Sequence, residues 1–347
     1  MSSTTDTELE LTGSQTIEGL VFRRPRGDDA DYEAIAETIG SASRADDVPW
    51  FPSGRMLRDE WEEGDLDEFD AARDAIVATI AGRVVAVAGV YRVMRNRRAV
   101  YQLWGNVDPG WRRRGIGSTL LRANLRNAEE RSVRHGDKRP GDRPMVRSYV
   151  GEHESGAAGI LTAAGLVPIR WSFAMRRPTL DDIPTARLPD GLEFRPVEPD
   201  HHRAIILADH EAFQDHWEPR DFTESSFRAT FERSELTTDL WVVAWDGAEV
   251  AGSVQTWIWP DENERLGVRR GWLESISVRR PWRRRGVARA MTAEAMRRLR
   301  DAGMDEAMLG VDAANPTGAL DLYLGLGFEV DRRGQHFSWP PAIEDRV

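Results

Sequence analysis

The chain has 347 residues, of which 40% are hydrophobic and 30% are charged, a composition typical of a soluble protein with two domains. It contains no cysteine, which excludes disulfides, thiolate metal ligands and a cysteine nucleophile. The formal net charge of −11 argues against broad nucleic-acid binding. No apolar run approaches the ~18 residues of a transmembrane helix, so we expect no membrane partner.

The first predicted elements follow a polar N-terminal stretch. Residues 1–19 are rich in Ser, Thr, Asp and Glu and lack the apolar core of a signal peptide, which predicts a disordered tail on a cytoplasmic protein. A short strand over Leu20–Arg23 then leads into helical segments. The strands predicted after them are Ala75–Ile80, Val84–Val93 and Ala99–Val107.

A basic turn joins the last of these strands to an amphipathic helix. The turn reads Pro-Gly-Trp-Arg-Arg-Arg-Gly-Ile-Gly over residues 109–117. A loop rich in Gly and Pro over residues 136–144, a strand over Met145–Val150, a short helix and a last strand follow. The apolar residues of the helix recur at helical spacing: Ile116, Leu120, Leu121 and Leu125.

The pattern of the first half then occurs a second time. Phe194 follows Phe22 by 172 residues, and Gly286 follows Gly115 by 171. The second basic turn reads Arg-Pro-Trp-Arg-Arg-Arg-Gly-Val-Ala over residues 280–288. Agreement between two distant offsets indicates a duplicated domain rather than a chance repeat of a short motif.

The second copy has the same predicted element order. Its strands are Leu192–Arg195, Leu240–Trp245, Glu249–Trp259, Trp272–Val278 and Glu306–Val311. Gly303 is placed as the C-terminal cap of the helix that follows the second turn. We therefore expect an N-terminal domain over residues 20–176, a proline-rich linker over 177–190 and a C-terminal domain over 191–347.

Both basic turns suit the binding of a phosphate chain. A helix N-terminus carries roughly +0.5 charge and presents N–H groups that have no partner within the helix. Glycine and alanine let the backbone approach a diphosphate, while arginine donates paired hydrogen bonds to phosphate oxygens. Neither turn has the spacing of a Rossmann fingerprint or a P-loop.

The two turns and one further segment resemble the GNAT superfamily of N-acetyltransferases. Residues 112–117 and 283–288 resemble its R/Q-x-x-G-x-G/A motif. Residues 315–328 read Asn-Pro-Thr-Gly-Ala-Leu-Asp-Leu-Tyr-Leu-Gly-Leu-Gly-Phe and resemble its N-x-x-A-x-x-L-Y-x-x-x-G-F segment, which is the more specific match. The tandem layout is similar to that of the mycothiol synthase family.

The resemblance implies an α/β fold with a mixed sheet, built as two tandem domains. Each domain would have a central, mostly antiparallel sheet with splayed middle strands flanked by helices. Acetyl-CoA, the implied cosubstrate, would lie along the basic turn in the gap between those strands. The residues expected to bind it are Ile276, Val278, Arg283, Arg284, Arg285, Gly286, Val287, Ala288, Arg289 and Asn315 in the second copy, and Val107, Arg112, Arg113, Arg114, Gly115, Ile116, Gly117 and Ser118 in the first.

Acetyl transfer to an amine needs a base, an oxyanion donor and an acid, and the second copy has a candidate for each. Glu274 would accept the amine proton directly or through water, and the backbone N–H of Val278 would polarise the carbonyl. Tyr323 is placed, by the resemblance, where the family keeps a tyrosine acid near the sulfur. Asn315 would bind the cofactor or hold its loop.

The first copy lacks the corresponding side chains. The residues at the positions of Glu274, Tyr323 and Asn315 are Leu103, Leu161 and His153. The basic turn of the first copy is intact, but the residues at the positions of the base and the acid are apolar. We therefore predict that the N-terminal domain is non-catalytic, whether or not it binds CoA. Glu152, His153 and Glu154 lie nearby in sequence and are the residues that would have to substitute.

The acceptor is expected to be a primary amine of a small molecule. Residues 210–232 mix acids, histidines and aromatics, and Phe213, Trp217, Phe222, Trp257 and Trp259 would form either an aromatic wall for a cation or part of the core. No metal-ligand spacing is present, so we expect no metal. A cysteinyl-sugar amine and a non-catalytic CoA sensor remain alternatives, as do a monomer and a homodimer.

Overall fold

The computed structural model describes residues 8–13, 16–62, 69–138, 142–217, 219, 221–232, 236–315 and 318–339. The chain divides into two compact units. Unit 1 contains the residues up to Arg170 together with those from Gly334 onward, and unit 2 spans Trp171–Arg333. No helix in the described residues is long and apolar enough to cross a membrane.

Unit 1 contains six neighbouring strands, which in spatial order are Leu20–Arg23 (β1), Ala75–Ile80 (β2), Arg83–Arg95 (β3), Arg98–Val107 (β4), Met145–Gly151 (β5) and Glu329–Trp339 (β12). Its neighbouring strands are antiparallel except β4 and β5, which are parallel. The elements in the first part of the chain are β1 (Leu20–Arg23), α1 (Asp29–Asp46), α2 (Gly54–Glu62), α3 (Ala71–Asp74), β2 (Ala75–Ile80), β3 (Arg83–Arg95), β4 (Arg98–Val107), α4 (Ile116–Arg134), β5 (Met145–Gly151), α5 (Ser155–Ala163) and β6 (Val167–Arg177).

Unit 2 repeats this arrangement with six neighbouring strands, which in spatial order are Glu193–Arg195 (β7), Val242–Asp246 (β8), Glu249–Trp257 (β9), Arg270–Val278 (β10), Glu306–Asp312 (β11) and Val167–Arg177 (β6). Strands β10 and β11 are parallel, and the other neighbours are antiparallel. The elements in the second part of the chain are β7 (Glu193–Arg195), α6 (His202–Phe213), α7 (Glu224–Glu232), β8 (Val242–Asp246), β9 (Glu249–Trp257), α8 (Pro260–Leu266), β10 (Arg270–Val278), α9 (Val287–Asp301), β11 (Glu306–Asp312), α10 (Ala319–Leu324) and β12 (Glu329–Trp339).

Each unit includes a strand that comes from the other copy of the repeat. Gly334–Trp339 of β12 pairs with residues 146–151 of β5 in unit 1. Ser172–Arg177 of β6 pairs with residues 307–312 of β11 in unit 2. The last strand of each copy was expected to close its own copy, and the pairing instead exchanges the two strands.

The helices pack on the sheets through the apolar stripes seen in the sequence. In unit 2, Met291, Met296 and Leu299 of α9 are fully buried in the core. Helix α9 ends as predicted, because Gly303 adopts a left-handed conformation with φ of 86° and the Met304 N–H bonds to the Leu299 carbonyl. The apolar periodicity therefore places α9 against β10 and β11.

Two segments predicted to be loose are packed. In the N-terminal tail, the Leu9 N–H donates to the Phe22 carbonyl at 2.7 Å, and Leu9 and Ile17 pack against a core cluster of unit 1. Residues of the predicted disordered tail within 8–13 and 16–19 are therefore packed on unit 1 in this structure, and residues 1–7 and 14–15 lie outside the described part. In the proline-rich linker, Leu180 is buried in the core of unit 2. In both segments, apolar side chains hold the chain in place by packing into or against a core cluster.

Candidate active site

A cleft opens between the two parallel strands of unit 2. Strands β10 and β11 pair only from Arg270 to Leu273 and from Glu306 to Leu309. Both strands continue beyond this pairing, so their later residues diverge and leave a gap in the sheet. A cavity of about 870 Å³ occupies the gap, a size suited to a cofactor-length ligand.

Glu274 lies at an irregularity where the strands part. Leu273 pairs with Thr256 of β9, whereas Ser275 pairs with Gln255, so Glu274 is an extra residue in β10. This is a β-bulge, which bends a strand and redirects its backbone. The Glu274 side chain is exposed and lines the cavity. Its carboxylate accepts a hydrogen bond from Trp259 Nε1 at 3.5 Å.

The register of β10 directs two backbone N–H groups towards the cleft. The Arg279 N–H bonds to the Ala251 carbonyl, and Val278 is opposite Gly252. Polar groups alternate between the two sides of an antiparallel strand, so the N–H of Val278 points away from β9, as does that of Ile276. The Val278 carbonyl confirms this direction, because it accepts from Arg283 Nε at 2.8 Å.

The second basic turn ends in an uncapped helix N-terminus. Arg284 and Gly286 both have positive φ, 60° and 87°, which curves successive N–H groups into a concave anion-binding shape. Gly286 supplies no side-chain cap to α9, and the first helical bond runs from the Ala290 N–H to the Gly286 carbonyl. The N–H groups of Val287, Ala288 and Arg289 therefore have no acceptor within the helix. Three such N–H groups at a helix N-terminus are suited to binding an anionic group such as a diphosphate.

The three arginines of this turn have different roles. The Arg283 guanidinium donates to the Val278 carbonyl, to Asp215 at 2.6 Å and to the Ala212 carbonyl at 2.9 Å, so it fixes the turn to β10 and α6. Hydrogen bonds from Arg280 and Arg283 hold the pKa of Asp215 well below its usual range. Arg285 is exposed and does not line the cavity. Arg284 lines it.

Tyr323 lies in the wall of the cavity on α10. Its side chain is 6% exposed and packs edge-on against Phe328, with ring centroids 6.1 Å apart. The hydroxyl makes no hydrogen bond to any residue that the structure describes. Burial raises the pKa of Tyr323, so the phenol keeps its proton at neutral pH.

Three further side chains of the cavity lining contact one another. Asn315 Nδ2 lies 3.2 Å from His216 Nε2, and both residues line the cavity. Phe213 also lines it, and its ring packs on His216 with centroids 4.5 Å apart. Trp257 and Trp259 do not line it; they stack on each other 5.2 Å apart.

A buried carboxylate behind β10 was missed from the sequence. Asp209 of α6 accepts from Ser275 Oγ at 2.5 Å and from Ser277, and Ser253 Oγ lies 3.3 Å from Ser277 Oγ. Burial raises the pKa of Asp209. The alternation of Ser275, Ile276, Ser277 and Val278 is a signal that one face of this strand is polar.

Unit 1 has the same turn geometry beside a different cavity. Arg113 and Gly115 have φ of 63° and 81°, and Arg112 bonds to the Val107 carbonyl at 3.0 Å and to Asp46 at 2.7 Å. The Arg114 guanidinium lies instead over the Trp111 ring, 4.6 Å from its centroid. The cavity has about 680 Å³.

The two cavities differ where catalytic side chains were predicted. Strand β4 pairs with β3 in continuous register, so unit 1 has no bulge at the position of Glu274. Leu103 and Leu161 are buried and line the cavity of unit 1. Trp104 packs against Trp61, with ring centroids 5.4 Å apart.

Most of the predicted site residues lie at these two cavities. The lining of the unit 2 cavity includes Glu274, Ile276, Val278, Arg283, Arg284, Gly286, Val287, Ala288, Arg289, Asn315 and Tyr323. The lining of the unit 1 cavity includes Val107, Arg112, Arg113, Gly115, Ile116, Gly117 and Ser118. Only Arg285 and Arg114 lie outside them. Within the described ranges, no group of three or more His, Cys, Asp or Glu residues is arranged to hold a metal ion.

A sheet with a cleft between parallel middle strands, and an anion-binding turn at the start of the next helix, defines an N-acetyltransferase fold present twice. The chain matches the model of the acetyltransferase (GNAT) family over residues 41–147 and 203–328. It therefore belongs to the GNAT family and is an N-acetyltransferase. This confirms the predicted family, fold class and tandem architecture.

Several known proteins resemble the whole chain or most of it. A mycothiol acetyltransferase of Catenulispora acidiphila is 29% identical over 89% of this chain and 94% of its own length. One of Thermomonospora curvata is 33% identical over 64% of this chain and 68% of its own. A GCN5-related N-acetyltransferase from Sphaerobacter thermophilus shares the fold, with a TM-score of 0.71 at 24% identity, covering 96% of this chain and 100% of that one.

Proposed function

We propose that unit 2 transfers the acetyl group of acetyl-CoA to a primary amine of a small molecule. The observation that carries this proposal is the convergence of Glu274, Val278, Tyr323 and the turn before α9 on one cavity. Members of the GNAT family use acyl-CoA, which supports acetyl-CoA as the cosubstrate. Acetyl-CoA supplies an activated acetyl thioester.

The turn would hold the diphosphate of the cosubstrate. The N–H groups of Val287, Ala288 and Arg289 have no acceptor in the helix, and Arg284 adds a positive charge at the same place. Arg283 is a positioning residue in this proposal, since its donors are directed to protein acceptors. Asn315 would complete the cofactor side of the cavity.

Three groups would perform the proton and charge chemistry. Glu274 removes a proton from the incoming ammonium, whose pKa is ordinarily near ~10. The Val278 N–H donates to the carbonyl oxygen as it gains negative charge. Tyr323 gives its proton to the departing sulfur, which its raised pKa permits because the phenol stays neutral.

Unit 1 would bind CoA without turning it over. Its turn has the same backbone shape, and Arg112 bonds to the Val107 carbonyl as Arg283 bonds to that of Val278. Leu103 and Leu161 occupy the positions of the proposed base and acid. Neither Glu152 nor His153 lines the cavity of unit 1. Glu154 does, but its carboxylate accepts the Gly151 N–H at 2.6 Å.

The relatives favour one class of acceptor. The similar proteins named above carry the name mycothiol acetyltransferase, which supports a cysteinyl-sugar amine as the acceptor. The cytoplasmic location and the monomeric or dimeric state stay predictions.

The test is a calorimetric titration of acetyl-CoA into the wild type, Gly115→Glu and Gly286→Glu. Each variant places a carboxylate against one diphosphate position, where φ is also unfavourable for any side chain. Gly286→Ala is the control for backbone strain without charge. We expect two wild-type sites, with one lost in each glutamate variant and both kept in Gly286→Ala.

An amine panel that includes a cysteinyl-sugar amine then reports turnover through the released CoA thiol. We expect turnover to survive Gly115→Glu and to vanish in Gly286→Glu. Two binding sites with no thiol released for any amine would favour the CoA sensor. No binding by the wild type, with no CoA carried through purification, would overturn the acetyltransferase assignment of this cavity.

A further inference from the structure

A buried polar side chain in the lining of the unit 1 cavity has an oxygen without a hydrogen-bond partner among the described residues. Asn124 of α4 is 2% exposed and belongs to the cavity lining. Its Oδ1 atom is buried and accepts no hydrogen bond from the residues that the structure describes. A buried amide that lacks a partner is unfavourable, so this group requires either water or a ligand.

Asn124 lies at the end of the cavity opposite the basic turn. It follows Gly115 by nine residues, which is a rise of ~13 Å along the helix. Leu103 precedes Val107 by four residues, which is ~13 Å along β4. Leu103 and Ser148 form the last pair of β4 and β5 before these strands part. Asn124, Leu103 and Ser148 are therefore at the same level.

At this level of the cavity, one side is lined by polar groups that carry no charge. Ser148 Oγ donates to the Leu103 carbonyl at 3.3 Å, which leaves its lone pairs as acceptors. Leu121 and Leu161 supply the apolar remainder. The two acidic residues of the lining, Asp46 and Glu154, lie instead near Arg112 of the basic turn.

The second copy has no such group at the corresponding level. By the offset of 171 residues, Ala295 takes the place of Asn124, and it is fully buried. In the register of unit 2, Leu309 takes the place of Ser148, because it forms the last pair with Leu273. Unit 1 therefore has an uncharged polar pair at this level, Asn124 and Ser148, where unit 2 has Ala295 and Leu309 beside the carboxylate of Glu274.

We propose that unit 1 selects CoA thioesters whose acyl group carries a hydroxyl, which bonds to Asn124. The inference rests on the proposed CoA binding in unit 1. A diphosphate held by the turn would direct the acyl end of the molecule towards Asn124, which lies ~13 Å further along the helix. A hydroxyl both donates and accepts, so it satisfies either end of the amide without adding charge. Unit 1 then acts as a binding site for a hydroxyacyl-CoA in a chain whose other unit uses acetyl-CoA.

The test measures binding to unit 1 alone in the full chain. Gly286→Glu removes binding at unit 2, and the remaining site is titrated by calorimetry with CoA, butyryl-CoA and 3-hydroxybutyryl-CoA. We expect 3-hydroxybutyryl-CoA to bind about five- to tenfold more tightly than butyryl-CoA, the gain of one hydrogen bond to a buried group. Adding Asn124→Ala, the residue of the second copy, should abolish that preference and leave the affinity for CoA unchanged.

Asn127→Ala is the matched control, because Asn127 is on the same helix but does not line the cavity. It should keep the preference. Equal affinities for the two thioesters in the Gly286→Glu chain would show that water satisfies Asn124 and would overturn the inference alone. Loss of CoA binding itself in that chain would overturn the CoA site of unit 1 as well. A thermal melt confirms that each variant is folded.

Discussion

Two side chains distinguish the unit 2 cavity, which we propose to be catalytic, from its counterpart in unit 1. Glu274 is exposed at a bulge and Tyr323 is buried with an unbonded hydroxyl among the described residues, while the equivalent residues of unit 1 are buried leucines. The same fold therefore holds one cavity with candidate proton-transfer groups and one with leucines in their place. The difference predicts separable kinetic effects for the two residues.

Tyr323→Phe should lower kcat about a hundredfold with little change in the KM for acetyl-CoA, because it removes only the proton donor. The thermal midpoint should hardly change, since the hydroxyl makes no bond to the described residues. Released CoA thiol is the readout, and Tyr149→Phe in unit 1 is the control. A kcat within threefold of the wild type would exclude Tyr323 as the acid.

Glu274→Gln should lower kcat/KM about a hundredfold at neutral pH and progressively less as the pH rises. The reason is that the amine loses its own proton near pH ~10 and then needs no base. Glutamine keeps an oxygen for the Trp259 Nε1 donor, so the local packing is retained. A deficit that is the same at every pH would assign Glu274 a structural role.

At the scale of elements, the exchanged strands couple each unit to a distant part of the sequence. Phe337 of β12 is 2% exposed and packs in a core cluster of unit 1 with Tyr101, Leu103 and Val146. Phe328, only nine residues earlier, is equally buried in the core of unit 2. Neighbouring residues in the sequence therefore stabilise different units.

Phe337→Ala should destabilise unit 1 by about 3–5 kcal/mol through a large-to-small change in its core. Hydrogen exchange read by mass spectrometry should rise in peptides from β4 and β5 and stay constant in peptides from β10 and β11. Phe328→Ala is the matched control and should show the reverse. Faster exchange in β10 and β11 upon Phe337→Ala would contradict the strand pairing.

At the scale of the whole molecule, the titration of tyrosine dominates stability at alkaline pH. Burial raises the pKa of Tyr32, Tyr101 and Tyr323 above the ordinary value of about 10, with hydrogen bonds to Glu62 and Asp137 adding to the first two. Lys138 is the single lysine in the sequence, and arginine stays charged in this range. Tyrosine therefore accounts for most of the alkaline response.

The free energy of unfolding should fall above pH 10. A group whose pKa is raised by folding stabilises the protein fully below its unfolded pKa, and that stability is lost as the pH rises through the folded pKa. The loss should reach about 1.4 kcal/mol per pH unit for each tyrosine. Urea titrations between pH 8 and 11.5 measure it, and Tyr32→Phe with Tyr101→Phe should flatten the slope. A flat wild-type profile would be inconsistent with this.

The conformation of the turns and the place of Tyr323 on a helix could be predicted because they depend on consecutive residues. Positive φ at Gly115 and Gly286, the start of each helix and the phenol on α10 all follow from local sequence. The repeat placed these motifs in two equivalent domains. Periodicity of apolar residues located the core helices, since burial of one stripe depends only on spacing.

Tertiary structure alone decided the features that depend on residues far apart in the chain. The bulge at Glu274 arises from the register with β9, and the clamp of Arg283 needs Asp215 on another element. Strands β6 and β12 each pair antiparallel with a strand of the other copy instead of their own. The two possible pairings are equivalent locally, so no local sequence pattern distinguishes them. Sequence therefore determined which chemical groups are available, and long-range pairing determined which of them share a cavity.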